Sequence, residues 1–157
     1  MHWYMTQADE LTALVRRTSD AAKAFIRGDV RSYVELLPHA GDYTLMPPYG
    51  EVRHGFDHSD ASLAATARWF QGGEAELEVV RVDRSGDLAV IAAVERQRGV
   101  VGGLPEQDWS LRVTLVFRFE DGDWKLVHRH ADPLVHPIDH ERLSVLARGA
   151  SRPDGPQ

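Results

Sequence analysis

The stretch WKLVHRHADPLVHPIDH, residues 124–140, holds four of the chain's eight histidines, with Asp132 among them. Imidazole is the side chain whose ordinary pKa lies nearest neutrality, so alternating His128, His130 and Asp132 could move a proton at working pH. Three chemistries are open to such a set. The imidazoles could satisfy buried backbone groups or water and do nothing more. They could form a base in an apolar pocket, where burial lowers an imidazole's pKa and a neighbouring carboxylate raises it. Two imidazoles and a carboxylate are also the ligand set of mononuclear iron sites. Three ligands on one short strand rarely converge on one ion, however, so no metal and no cofactor are expected. His136 and His140 follow a proline-marked turn and read as surface residues. A second cluster, His54, Asp57, His58 and Asp60, reads as the start of a helix with Asp57 as its cap.

Composition limits the alternatives. The chain has 157 residues, 43% of them hydrophobic and 27% charged, enough for one domain with a real core. Its net charge of −6, with no basic run, argues against nucleic-acid binding. Without cysteine there are no disulfides, thiolate nucleophiles or zinc–thiolate sites. The opening MHWYMTQADE lacks both a basic region and a long apolar run, so neither a signal peptide nor a membrane anchor is expected, and the expected location is cytoplasmic.

The elements that must position the histidines follow from periodicity. Leu11, Leu14, Val15, Thr18, Ala22, Phe25 and Ile26 recur at helical spacing and predict a helix over 7–27, with Thr6 and Asp9 as a capping box and Gly28 as the stop. Asp29 caps a short helix over 30–37, DYTLM (42–46) is a strand, and a third helix runs from about Phe56 to Gly72. The period then becomes two. ELEVVRVD pairs with LAVIAAVERQ around Ser85-Gly86, and WSLRVTLVFRFE pairs with WKLVHRHAD around Asp121-Gly122. GVVGGLPEQD (99–108) is a glycine-rich loop, residues 139–148 form a last helix, and 149–157 form a flexible tail after a single domain over 1–148. Helices followed by a strand meander predict an α+β domain, with the helices packed on one face of an antiparallel sheet.

A two-residue Asp-Gly turn would set Phe119 opposite Trp124, Phe117 opposite Leu126, Leu115 opposite His128 and Val113 opposite His130. Cross-strand partners share a face, so His128, His130 and Asp132 are expected on the apolar face, toward the helices. Strand 88–97 leaves a choice: either Arg96 or Glu95 reaches that face.

The order of elements, the segment DYTLMPPYG and the terminal FRFEDGDWKLVHRHAD resemble the nuclear transport factor 2-like superfamily, most closely its SnoaL-like, ketosteroid-isomerase-like branch of small bacterial proteins. The resemblance covers about residues 7–135. It implies a cone-shaped α+β barrel: a curved sheet wrapping the N-terminal helices around a deep apolar pocket. It also implies a homodimer through the outer sheet face. The steroid isomerases' catalytic residues do not carry over: Pro47, Leu115 and Ala21 occupy the places of their two aspartates and their tyrosine. The resemblance places Tyr43, Leu45 and Pro47 toward the pocket, with Tyr49 at its mouth. The resulting expectation is acid/base chemistry of lyase, cyclase or isomerase type on a compact lipophilic molecule. His128 or His130 would move the proton, Asp132 would orient the imidazole and Tyr43 would donate a hydrogen bond. Trp69, Arg96, Trp109, Leu115 and Phe117 complete the expected lining. The alternative is a dimeric ligand-binding module without chemistry. Neither nucleic acid nor membrane is an expected partner.

Overall fold

The computed structural model describes residues 6–149. Helix α1 (Gln7–Ile26) begins as its sequence predicts: Thr6 Oγ1 accepts the Asp9 N–H, and the Asp9 carboxylate accepts the Thr6 N–H. Its buried face carries Leu14, Thr18, Ala21 and Ala22. The helix ends at Gly28, where φ is +81° and a Cβ would stand 2.4 Å from the Phe70 carbonyl oxygen, so only glycine fits. Asp29 caps α2 (Val30–Leu36) through the Ser32 N–H. Then follow β1 (His39–Met46), β2 (Arg53–His54), α3 (Asp60–Trp69), β3 (Phe70–Ser85), β4 (Leu88–Val101), β5 (Gln107–Asp108), β6 (Leu111–Glu120), β7 (Asp123–Asp132) and α4 (His140–Arg148). Helix α3 starts later than expected. Ser59 caps it, while Asp57 accepts the Ser59 N–H and tightens the turn before it. Of the expected tail, all but Gly149 falls outside the described residues.

The strands form one curved, unclosed sheet in the order β2-β1-β7-β6-β4-β3, with β5 on β4. It is mixed rather than wholly antiparallel, because β1 pairs parallel with β7. The long run of chain between these two strands supplies the crossover that a parallel pair needs. Helix α1 packs on β3 and α2 packs on α1, giving the α+β cone. Arg17 ties the layers together, bonding Asp123 Oδ1 at 2.8 Å and the Leu36 carbonyl at 3.0 Å. The core gathers Leu14, Ala21, Ile91, Leu115, Phe117 and Leu126. Each large side chain fully buried there contributes about 1.5–3 kcal/mol.

The last hairpin decides which chemistry lies inside. Asp121 and Gly122 both have positive φ, 54° and 81°, as a tight hairpin turn of this twist demands. Pairing begins in the expected register, with Glu120 opposite Asp123, Phe119 opposite Trp124 and Phe117 opposite Leu126. Val127 is then an extra residue, a β-bulge, and the register beyond it is shifted by one. Val116 faces His128, Leu115 faces Arg129, Thr114 faces His130 and Arg112 faces Asp132. A one-residue slip exchanges the two faces of a strand. The expected pairings of Leu115 with His128 and Val113 with His130 are therefore overturned. His128, His130 and Asp132 stand on the outer face of the sheet, and Arg129 and Ala131 point inward.

Candidate functional site

Arg129 enters an apolar interior and meets Glu95. The two guanidinium nitrogens bond the two carboxylate oxygens at 2.8 and 2.9 Å, a bidentate pair. The Glu95 side chain is 5% exposed and that of Arg129 18%. The choice left open on strand 88–97 thus resolves to Glu95. Ala89, Ile91, Ala93 and Glu95 are buried in alternation, while Arg96 is exposed and bonds Glu78 at 2.8 Å. Arg129 lies level with Leu115, whereas Glu95 lies level with Leu111. The side chain must therefore run diagonally past Val113, and the residues flanking Val113 are Ala93 and Ala131, small enough to leave the path clear. Burial opposes the charge of Arg129, but the field and hydrogen bonds of Glu95 outweigh it and raise the guanidinium's pKa above its ordinary value.

Two tyrosines and a histidine complete the polar group. Burial pushes the Tyr43 hydroxyl up to about 12, with Arg129 pulling the other way. Tyr33 is also raised, by burial first and then by Tyr43. Both phenols are therefore neutral donors at ordinary pH. His39 Nε2 lies 3.3 Å from the Tyr33 hydroxyl. Its ring stacks on Phe56 at 4.2 Å and meets Tyr43 edge-on at 4.5 Å. Burial pushes His39 down to about 4, the Leu37 backbone opposing in part and His58 and Arg129 adding to the fall. Its Nδ1 is buried near the Leu37 backbone but makes no hydrogen bond of good geometry.

The residues singled out from the sequence are distributed differently. On the outer face, His128 Nδ1 lies 2.7 Å from Thr44 Oγ1, and His130 lies 3.5 Å from Asp132, both half-exposed. Tyr43, Leu115 and Phe117 are buried, and Leu45 packs against the same core, level with Arg129. Pro47 is half-buried, but Tyr49 is 69% and Trp69 49% exposed. Trp109 is half-buried, and its Nε1 donates to the Gly99 carbonyl at 3.0 Å. Among the described residues, no three His, Asp or Glu side chains are placed to hold a metal ion, and no helix is long and apolar enough to cross a membrane. Two concavities, of about 460 and 240 Å³, lie on the outer sheet face beside α4 and between α2 and α3.

Arg129, Tyr33, His39 and Phe56 were missed from sequence. One signal was present. Apolar and polar residues alternate through Trp124, Lys125 and Leu126, then Leu126 and Val127 stand side by side, and Ala131 falls in step with Arg129 rather than with Leu126. A break in alternation of this kind is how a bulge appears in sequence.

The model of one family, the SnoaL-like domain, matches residues 16–135. No curated protein sequence matches the chain. Among solved structures, a Streptomyces avermitilis protein of the NTF2-like family, provisionally named a dehydratase, is 22% identical with a TM-score of 0.61, the match covering 83% of this chain and 100% of that one. An NTF2-like protein from Cytophaga hutchinsonii is 19% identical with a TM-score of 0.59, covering 82% and 98%. The association domain of C. elegans CaMKII is 19% identical with a TM-score of 0.55, covering 77% and 93%. At these identities the likeness is one of fold.

Proposed function

Because the chain belongs to the SnoaL-like domain family, we propose that it takes a compact, largely apolar molecule into the cone and performs cofactor-independent acid/base chemistry on it, of lyase, cyclase or isomerase type. The observation that carries this reading is the buried Glu95–Arg129 pair, close enough to the buried Tyr33 and Tyr43 for its charges to act on their hydroxyls. A buried ion pair stabilises a fold weakly or not at all compared with a packed apolar pair of the same volume. Convergent polar groups inside an apolar interior are what a small-molecule site needs. In this reading Tyr43 donates a hydrogen bond to a carbonyl or hydroxyl oxygen. Arg129, held by Glu95, stabilises negative charge as it develops on that oxygen. His39, neutral at pH 7, exchanges the proton.

One observation favours a binding module without chemistry. Both oxygens of Glu95 are occupied by Arg129, so no carboxylate is free to act as a base. A structural neighbour provisionally named a dehydratase suits the first reading, and the likeness to the CaMKII association domain suits a protein that assembles. Assembly would use the outer sheet face, where Val90, Val116 and Thr114 lie uncovered by any helix, and would give a homodimer.

The test uses a panel of uncharged cyclic ketones in heavy water. Binding is read by thermal shift, and deuterium entry beside the carbonyl by NMR. Catalysed exchange that falls at least about tenfold in Tyr43→Phe supports the enzyme. Binding without exchange supports the module. No binding by wild type, or binding indifferent to Tyr43→Phe and Arg129→Met, refutes the interior site.

A further inference from the structure

Phe56 covers the polar group of the interior. Its ring stacks on His39 at 4.2 Å, with Tyr43 at 6.3 Å and Tyr33 at 6.5 Å, and it packs against the core while remaining half-buried. It belongs to neither strand nor helix, standing between β2 and α3 beside the exposed His58 at 4.7 Å. Neither of the two concavities is lined by His39, Tyr43 or Arg129, so neither gives a ligand a way to them.

The segment that carries Phe56 is fastened firmly at one end only. At the C-terminal end of α3, a Cβ on Gly28 would stand 2.9 Å from the Ala67 carbonyl oxygen, and one on Gly102 would stand 2.7 Å from the Trp69 ring, so backbone lies directly against both. The Gly102 N–H also bonds the Trp69 carbonyl at 2.8 Å. Elsewhere the hold is light. No residue of α3 is buried, and no hydrophobic residue of α3 packs against the core. From Phe56 to Ala64, among the described residues, one hydrogen bond reaches another element, Arg31 to Asp60 at 3.3 Å, and an exposed pair of this kind holds weakly. The groove of about 240 Å³ separates Leu63, Ala64 and Ala67 from Val30 of α2, so the two helices do not interlock. Gly55, with φ +80° and no atom within 4 Å of where its Cβ would stand, gives the chain a pivot just ahead of Phe56. Segments with few buried contacts are the ones that open locally while the rest stays folded. We propose that α3 is a lid that swings about its Trp69 end, and that Phe56 is the residue it lifts off His39 to admit a ligand. This rests on the reading of the interior as a ligand site, and adds the residue that controls entry.

Diethyl pyrocarbonate acylates neutral imidazole and so reads access to His39 directly. It is applied to the full-length chain at about pH 7, where free imidazole is largely neutral, and each histidine is followed by mass spectrometry. The exposed His58 should react fast and His39 slowly. Phe56→Ala should speed His39 at least about tenfold and leave His128 and His130 unchanged. Because the chain has no cysteine, Arg31→Cys/Asp60→Cys introduces a unique pair of thiols where α2 and α3 already meet, and a short bis-maleimide can join them. His39 should then react at least about tenfold more slowly than in the same variant untethered. The tether leaves Phe56 in place, so a ring that only covers His39 and never moves would not respond to it, and the comparison stands even if Phe56→Ala fails to fold. Three results overturn the lid, even where cyclic ketones bind: His39 reacting as fast as His58 in wild type, His39 unchanged in a folded Phe56→Ala chain, or equal rates with and without the tether. A tether that slows His39 in a chain that binds no ketone supports the lid and leaves the ligand-site reading to fail alone.

Discussion

Acid should weaken this protein through His39. Burial holds the imidazole at about 4 in the folded chain, against an ordinary value of 6.5. Between those values the unfolded chain binds a proton that the folded chain refuses. The stability His39 contributes is therefore complete above about pH 6.5, falls as pH drops through the window, and is gone below about pH 4. The separation corresponds to roughly 3 kcal/mol. For a domain of this size that is about 6–12 °C in Tm. The comparison is His39→Phe, which keeps a ring against Phe56 but cannot be protonated. The variant strands the Tyr33 hydroxyl, at a cost of about 1–3 kcal/mol at every pH. Urea unfolding from about pH 7.5 to about pH 4 should start with the variant less stable, and the gap should close or reverse toward acid. Parallel curves for the two proteins would show that His39 is not held neutral by its surroundings, and would remove the basis for giving it a proton to exchange.

Glu95→Gln leaves the Arg129 charge buried without its partner and should cost about 3–5 kcal/mol in denaturant unfolding. Glu95→Leu combined with Arg129→Met should recover most of that loss while abolishing ligand binding. Tyr43→Phe deletes a hydroxyl that bonds to no other described side chain, so stability should change by less than about 1 kcal/mol while ligand affinity falls. His130→Ala, on the outer face, should leave both stability and interior binding within about 0.5 kcal/mol of wild type. A larger loss of interior binding would mean that the register is wrong in solution.

Much of the fold could be read from residue spacing. The Thr6–Asp9 cap, the Gly28 stop and the Asp121-Gly122 turn are local devices, each specified within four residues, and each appears where expected. The alternation in β6 correctly placed Val113, Leu115 and Phe117 inside. What failed was propagation of register along β7. A turn fixes only the pairs beside it, and one bulge cancels the inference for every residue beyond. His128 and His130 drew attention because imidazoles are conspicuous, but it is Arg129 between them that turns inward. Its inward path depends on Glu95, 34 positions away, and on Ala93 two strands across the sheet, neither of which is local to it. His39 likewise gains its character from Phe56 and Tyr33 in separate elements. The parallel docking of β1 on β7 is also long-range information that no local pattern carries.

That docking has a consequence for how the protein is made. Tyr33 in α2 and His39 and Tyr43 in β1 leave the ribosome early, while the neighbour of β1 in the sheet, β7, is the last strand synthesised. The β3–β4 and β6–β7 hairpins close over short loops and can form quickly, but until β7 exists β1 has only the two-residue β2 to pair with and no path into the rest of the sheet. The aromatic residues around His39 must therefore remain uncovered through most of synthesis, and their burial belongs to the slow, non-local end of folding. A chain stalled or truncated before Asp132 would expose those rings and the unpaired edge of β1 together, a combination that favours aggregation.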